Sequence, residues 1–400
     1  MSFYKTNDKD NLHDGWKYIK LSDYADIFDN MRVPLSSEVR AYMKGSYPYC
    51  GANGIVDYIN DYKFEGDFVL IAEDGGNFYD YKTRPIAYLM NGKFWVNNHA
   101  HVLKAKNGLT KYLLYSLEHK DITKYIIGST RTKLNRSVLE LIPILIPSFS
   151  EQQKIAEILS TVDDKLDIIE EKIKETQQLK QSLMQTLLTK GIGHTEFKDS
   201  PLGEIPASWK VNSLKEVVRF SQGVQVDLEL QSQDADNDLV KFLRIENYTQ
   251  GSTDFRYIGK NLCKGKFLLQ DDVVVVRYGA SAGFVSRGLS GVLANNLFQV
   301  IPNDEILSKD YTYILLRSKY EYFQKLMAGG AMPALNFGML NNIQIGLPTI
   351  NEQKLVTSII LTVDEKLKVM QEKKNEYTEL KKGLMQQLLT GKIRVNHLIN

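Results

Sequence analysis

EQQKIAEILSTVDDKLDIIEEKIKETQQLKQSLMQTLLTKGI occupies residues 151–192, and EQKLVTSIILTVDEKLKVMQEKKNEYTELKKGLMQQLLTGKI occupies residues 352–393. Aligned without a gap, residues 147–192 and 348–393 share 21 identities in 46 positions. Self-similarity at a fixed displacement marks a duplicated structural unit. Upstream the match thins but stays in order. GWKYIKL (15–21) answers SWKVNSL (208–214), VNNHAHVL (96–103) answers ANNLFQVI (294–301), and GSTRTKLN (128–135) answers GGAMPALN (329–336). Each half is therefore a diverged globular head followed by a long helix that has changed little.

The helices carry a pairing seam. Leu159, Val162, Leu166, Ile169 and Ile173 alternate three and four apart, and Leu183 and Leu187 resume the pattern. In the second copy the seam is Ile360, Val363, Leu367 and Met370, resumed at Leu384 and Leu388. Such heptad spacing suits helix-on-helix packing. Thr176 and Lys180 interrupt the first seam, and Lys374, Tyr377 and Lys381 the second. Ser150 and Asn351 stand as expected N-caps, and Gly191 and Gly391 as stop signals. Forty residues span about 60 Å at 1.5 Å each, longer than one head needs, so the two helices are expected to pair with each other. The first helix ends where the second head begins, which makes the pair antiparallel and the chain almost circular.

Composition excludes several classes. No run of about 18 apolar residues exists to span a membrane, and the polar start MSFYKTNDKDNLHDGW offers no secretion signal. Only Cys50 and Cys263 occur, without CxxC spacing, which fits a reduced cytoplasm. A net charge of +2 neither demands nor excludes nucleic acid.

In the heads, GDFVLIAEDGG (66–76) and DDVVVVRYGASAG (271–283) are apolar strands opening into polar loops. Residue types that meet base edges or phosphates gather near such strand ends. In the first head the candidates are Tyr47, Tyr49, Asn53, Asn77, Arg84, Asn97, Asn98 and His99. In the second they are Arg244, Asn247, Arg277, Tyr278, Ser281, Asn295 and Asn296. Turns use Asn, Gly and Ser for backbone reasons as well, so these residues form a set of candidates and not a code.

Catalytic motifs are not legible. GASAG is not GxGxxG, and no GxxxxGK[ST] occurs. His99 and His101 share a strand face without a third ligand nearby, so no metal or other cofactor is expected. The pair Glu73–Asp74 is the type used in acid–base chemistry, whereas Asp271–Asp272 opens a strand and suits the end of a turn. EEK at 170–172 suits a solvated helix face.

Two unlike heads, a near-identical helix after each, and the helix starts IPSFSEQQKIAEIL and LPTINEQKLV resemble the specificity subunits of type I restriction-modification enzymes. LLTKGI and LLTGKI at the helix ends and LGEIPASWK (202–210) extend the resemblance over almost the whole chain, although NLHDGWK lacks the proline-containing lead. The resemblance implies a non-catalytic, cytoplasmic subunit that binds double-stranded DNA with two methyltransferase subunits, restriction subunits joining the full complex. The implied fold is α+β: two mixed α/β target-recognition domains in tandem, separated and linked by two long antiparallel coiled-coil helices with pseudo-two-fold symmetry. The expected divisions are a first recognition domain at 1–149, a first spacer helix at 150–191 and a linker at 192–207. A second recognition domain at 208–350, a second spacer helix at 351–392 and a tail at 393–400 follow. The alternative is a two-headed scaffold that binds protein partners without reading DNA.

Overall fold

A computed structural model of the chain describes residues 12, 15–106, 108–128, 132–327 and 333–399. Parts of the expected match between 128–135 and 329–336, and most of the polar N-terminal stretch, lie outside them. The chain divides into two compact units, Met1–Glu171 with Gln371–Asn400, and Lys172–Met370. The divisions fall inside the two long helices, so each unit is one head plus half of each helix.

The first head closes at its root. Lys17–Lys20 pairs antiparallel with Pro143–Ile146, so its first and last strands lie side by side. An antiparallel sheet follows the order Ala25–Ile27, Ala100–Ala105, Phe68–Ala72, Ala87–Met90. Every residue of Phe68–Ala72 is buried. Val69 and Ile71 face a core shared with Tyr112 and Leu113 of the helix Thr110–Glu118, while Phe68 and Leu70 join Cys50, Phe64 and Phe94. Alternate side chains point to opposite faces, so an unbroken apolar run is the signature of a strand covered on both. The second cover is the sheet Gly54–Ile59, Lys44–Gly51, Lys93–Val96, Phe64–Glu65, in which Lys44–Gly51 runs parallel to Lys93–Val96.

The second head repeats this arrangement, with three strands in its second sheet where the first head has four. Lys210–Ser213 pairs with Gln344–Leu347 at the root. Its antiparallel sheet follows Val218–Gln222, Leu297–Pro302, Val273–Val276, Val285–Ser286. Val273 and Val275 face one core, Val274 and Val276 the other. Arg256–Gly259, Leu239–Leu243 and Val292–Leu293 form the second sheet, again with one parallel pairing. The duplication is thus a duplication of fold.

The long helices are Phe149–Lys190 and Ile350–Leu388. Their caps lie two residues earlier than expected. Ser148 Oγ accepts the Glu151 N–H at 3.3 Å and Thr349 Oγ1 accepts the Glu352 N–H at 3.4 Å. Ser150 and Asn351 are already helical. The Ser/Thr-x-x-Glu spacing of a capping box decides it, because the hydroxyl must reach the third amide of the helix. Gly191 has φ +64°, and a Cβ on it would lie 2.2 Å from Glu352 Oε1, so both conformation and space require glycine. The expected linker is not bare: Phe197–Ser200 and Gly203–Pro206 form a hairpin.

All thirteen seam residues are buried or half-buried. In the first unit Leu159 packs in one core with Met385, Leu388 and Leu389. In the second, Leu187 packs with Val356 and Ile360. Within each unit, the start of one long helix therefore lies against the end of the other.

Candidate nucleic-acid interface

The two heads present the same backbone corner with different side chains. Glu73 N–H donates to the His99 carbonyl at 2.8 Å, and the Glu73 carbonyl accepts from Leu134 N–H at 2.7 Å. Arg277 N–H donates to the Asn296 carbonyl at 2.9 Å, and the Arg277 carbonyl accepts from Leu335 N–H at 2.9 Å. Bridges Asp74–Lys133 and Tyr278–Ala334 complete the correspondence. Glu73 and Arg277 are therefore structural equivalents, as are Asp74 and Tyr278, and His99 and Asn296. This corrects by one residue the expected match of 96–103 with 294–301, because the ladder register and not the Asn-Asn pair fixes the alignment. One position carries a carboxylate in one head and a guanidinium in the other.

In the first head the corner opens into a cleft of about 530 Å³ lined by Gly51, Asn53, Asp74, Gly75, Asn97 and His99 among others. Asn53 Nδ2 donates to the Gly75 carbonyl at 2.9 Å, tying the turn at 51–54 to the loop after the central strand. The Tyr88 hydroxyl fixes the same turn through the Gly51 carbonyl at 2.6 Å. Asn97 Oδ1 accepts the His99 N–H at 2.8 Å, and Asp74 Oδ1 lies 2.7 Å from His99 Nδ1. Asn98 is exposed beside them.

Behind the cleft lies a closed ionic cluster. His101, 1% exposed, sets Nδ1 against Asp29 at 2.6 Å and Nε2 against the Leu134 carbonyl at 2.7 Å. Arg32 Nη1 meets Glu73 at 2.7 Å and the Ala100 carbonyl at 2.8 Å, and Lys133 meets Glu73 at 3.1 Å. Burial works against ionisation of Asp29 and Glu73, but the His101, Arg32 and Lys133 contacts prevail and hold both carboxyls below the ordinary range. Asp29, Glu73 and His101 bring ligand-type atoms within 4.8 Å of one another. Their lone pairs and protons are committed to these protein partners, which suits a structural cluster and not a metal site. Spacing alone did not foretell it, since Arg32 stands 41 residues from Glu73. His101 is thus an interior residue and not a companion of His99 at the surface.

In the second head Arg277 lies over Tyr278 at 4.7 Å and over Phe337 at 5.6 Å, and it makes no ion pair among the described residues. Asn296 Oδ1 is buried without a hydrogen-bond partner among the described residues. Asn295 donates to Gln225 Oε1 at 3.2 Å, and the Ser281 carbonyl accepts from Phe284 N–H at 3.0 Å within the turn after the strand.

Other candidates are held away from these corners. Tyr49 is 1% exposed, its hydroxyl accepting the Leu35 N–H at 2.8 Å; it is a core residue, where an aromatic with one satisfied hydroxyl belongs. Asn247 is also interior: Oδ1 accepts the Arg244 N–H at 2.8 Å and Nδ2 donates to the Ser252 carbonyl at 2.9 Å. Both side chains are buried, with their polar atoms taken by the backbone of their own heads. Arg244 is drawn to Glu246 at 2.8 Å and the Asp254 carbonyl at 2.9 Å. Tyr47 packs on Tyr62 at 5.2 Å, Asn77 donates to the Pro85 carbonyl at 3.1 Å, and exposed Arg84 lies 3.9 Å from Asp80. Asp272 accepts the Leu269 N–H at 2.9 Å and, with Asp271, pairs with Lys309, which is turn closure.

The chain is a tandem of two heads of closely similar arrangement with unlike polar corners. The family profile described as type I restriction modification DNA specificity domain matches residues 13–178 and 206–379, and the chain belongs to that family. It is 27% identical to the MjaVIII specificity subunit of Methanocaldococcus jannaschii, over 100% of this chain and 99% of that one. It is 23% identical to the MjaIX specificity subunit of the same organism, over 99% of this chain and 97% of that one. The solved type I restriction-modification S subunit from M. genitalium shares the fold at TM-score 0.65 and 15% identity, covering 97% of this chain and 99% of that one. The protein is a DNA-specificity subunit, a non-catalytic recognition component of a type I system. Among the described residues no helix is long and apolar enough to cross a membrane.

Proposed function

We propose that each head reads one half of a bipartite, asymmetric site, and that the two long helices pair antiparallel along their length as the spacer between them. The corner chemistry carries this reading: equivalent positions hold Glu73, Asp74 and His99 in one head and Arg277, Tyr278 and Asn296 in the other. Unlike side chains on one scaffold are what two different half-sites require. The recognition domains are 1–149 and 208–350, with spacer helices at 150–191 and 351–392. The linker 192–207 and the tail 393–400 join the heads' roots.

The helix pairing gains support from reciprocity. Asp163 pairs with Lys381 at 2.9 Å, and their counterparts Asp364 and Lys180 pair as well. Such an exchange of equivalent contacts is the mark of a pseudo-two-fold. Away from the seam, Ile168 and Val369 are matched and exposed, as are Leu179 and Leu380. These apolar pairs suit two equivalent docking faces for methyltransferase subunits, restriction subunits joining afterwards in the cytoplasm. Near-neutral charge fits this division of labour, with much of the phosphate neutralisation left to partners.

The test is to map methylated adenines in cells carrying this chain and its methyltransferase, before and after exchanging residues 1–145 for another head. A split motif that changes in one half only is expected. Methylation indifferent to the exchange would overturn the reading.

A further inference from the structure

Resting on that reading of the first head, we infer that His99, with its tautomer set by Asp74, is a specificity-determining contact that accepts a hydrogen bond from an amine-bearing base. The His99 side chain is 40% exposed at the mouth of the cleft, whereas Asp74 is 16% exposed behind it. The Asp74 carboxylate only accepts, so in the neutral ring the proton sits on Nδ1. Nε2 is then left bare as an acceptor. The Asn97 side chain grips the His99 amide, and the Tyr88 hydroxyl and Asn53 amide brace the facing turn. Gly51 keeps that turn close: a Cβ there would stand 2.8 Å from Val56 Cγ2 and 3.2 Å from Asn97 Nδ2. A fixed acceptor on a braced loop is what base discrimination needs.

In the major groove adenine N6 and cytosine N4 offer hydrogens, whereas guanine O6 and thymine O4 accept. A bare Nε2 therefore favours a base pair with its amine on the strand His99 faces, and rejects the same pair inverted. The second head lacks this device, since Tyr278 and Asn296 occupy the equivalent places. The discrimination is thus confined to one half-site.

The experiment uses the full chain co-expressed with its methyltransferase subunits, with methylated adenines mapped genome-wide for wild type, His99→Ala and Asp74→Asn. The half-site of the first head is the one that changes when residues 1–145 are exchanged. In His99→Ala, one base pair of that half-site should lose its preference by about tenfold, with the other half-site intact. In Asp74→Asn an amide can donate to Nδ1, which frees Nε2 to carry the proton, so the inverted base pair should be admitted at that same position. Retention of the full motif in both variants, or uniform loss of methylation with the motif unaltered, would overturn the role of His99. A wild-type complex that gives no split motif would overturn the two-head reading as well. The untouched half-site reports that each variant complex has assembled, so misfolding cannot imitate the expected result.

Discussion

Asp163 and Lys381 form a 2.9 Å ion pair between the two long helices at a level where the apolar seam is interrupted. Lys381 also holds Glu118 at 2.9 Å and lies 5.4 Å from the Tyr115 ring, whose hydroxyl donates to Asp163 at 2.7 Å. Burial works against the charge on Lys381, but Glu118 and Asp163 outweigh it and raise its affinity for a proton. A lysine that breaks a heptad is here the point at which head and both helices are tied. Truncating it leaves two partly buried carboxylates unpaired, so Lys381→Met should destabilise the first unit by about 2–4 kcal/mol. A double-mutant cycle with Asp163→Asn, followed by urea unfolding, should return a coupling of about 1–3 kcal/mol. Additive single effects would show the pair to be idle.

The second tie is at the root of the first head. Arg394 grips Glu151 through Nε at 2.6 Å and Nη2 at 2.8 Å, and Val395 is 2% exposed beside it. In the second unit the segment after the first helix does the same work, with His194 at 2.8 Å, Ile192 N–H at 3.0 Å and Trp209 Nε1 at 3.1 Å on Glu352. Removing residues 391–400 should therefore lower the melting transition of the first unit by several degrees, about 2–4 kcal/mol of stability. The second unit should be untouched. Scanning calorimetry on the full chain would separate the two transitions.

A pH effect resides at Lys120, which is 5% exposed. Burial, reinforced by Lys124, pulls its ammonium down to about 8. In the unfolded chain lysine titrates at about 10.4, so between these values the unfolded state binds more protons and stability rises with pH. Denaturant midpoints of the first unit should climb as pH is raised from about 8 to about 10. Lys120→Met should lack that climb. An equal slope in wild type and variant would remove Lys120 as its source.

Leu179 and Leu380 are 51% and 49% exposed at matched places on the helices. Replacing both with Glu should leave the melting temperature within about 2 °C, since surface changes away from the core cost little. Co-purification with the methyltransferase should fall at least tenfold. Unchanged co-purification would move docking to another face.

Much of this architecture is legible in the amino-acid sequence. Repetition over residues 147–192 and 348–393 declared the duplication, and the residues of the heptad pattern are buried or half-buried. The helix start at Ser148 and not Ser150 follows from the Ser148-x-x-Glu151 spacing, which composition at the cap position does not distinguish from a serine inside the first turn. Candidate contacts were less legible. Asn53, Asn97 and His99 gather at one cleft and Arg277, Tyr278 and Asn296 at its counterpart, but Tyr49 and Asn247 turned inward. An Asn at a strand end closes a turn or faces a ligand according to which neighbours claim its amide, and composition does not record those neighbours.

Sequence by itself determined the duplication, the long helices and the side of each helix that is buried or half-buried, because periodic burial follows from the geometry of single elements. Tertiary structure alone decided that Glu73 and Arg277 are the same position, that Arg32 and His101 close a cluster around Asp29 and Glu73, and that Asp74 orients His99. The contacts Asp74–His99, Arg32–Glu73 and Asp29–His101 join residues 25, 41 and 72 positions apart. They exist only once two sheets have packed and brought the strand ends to one corner.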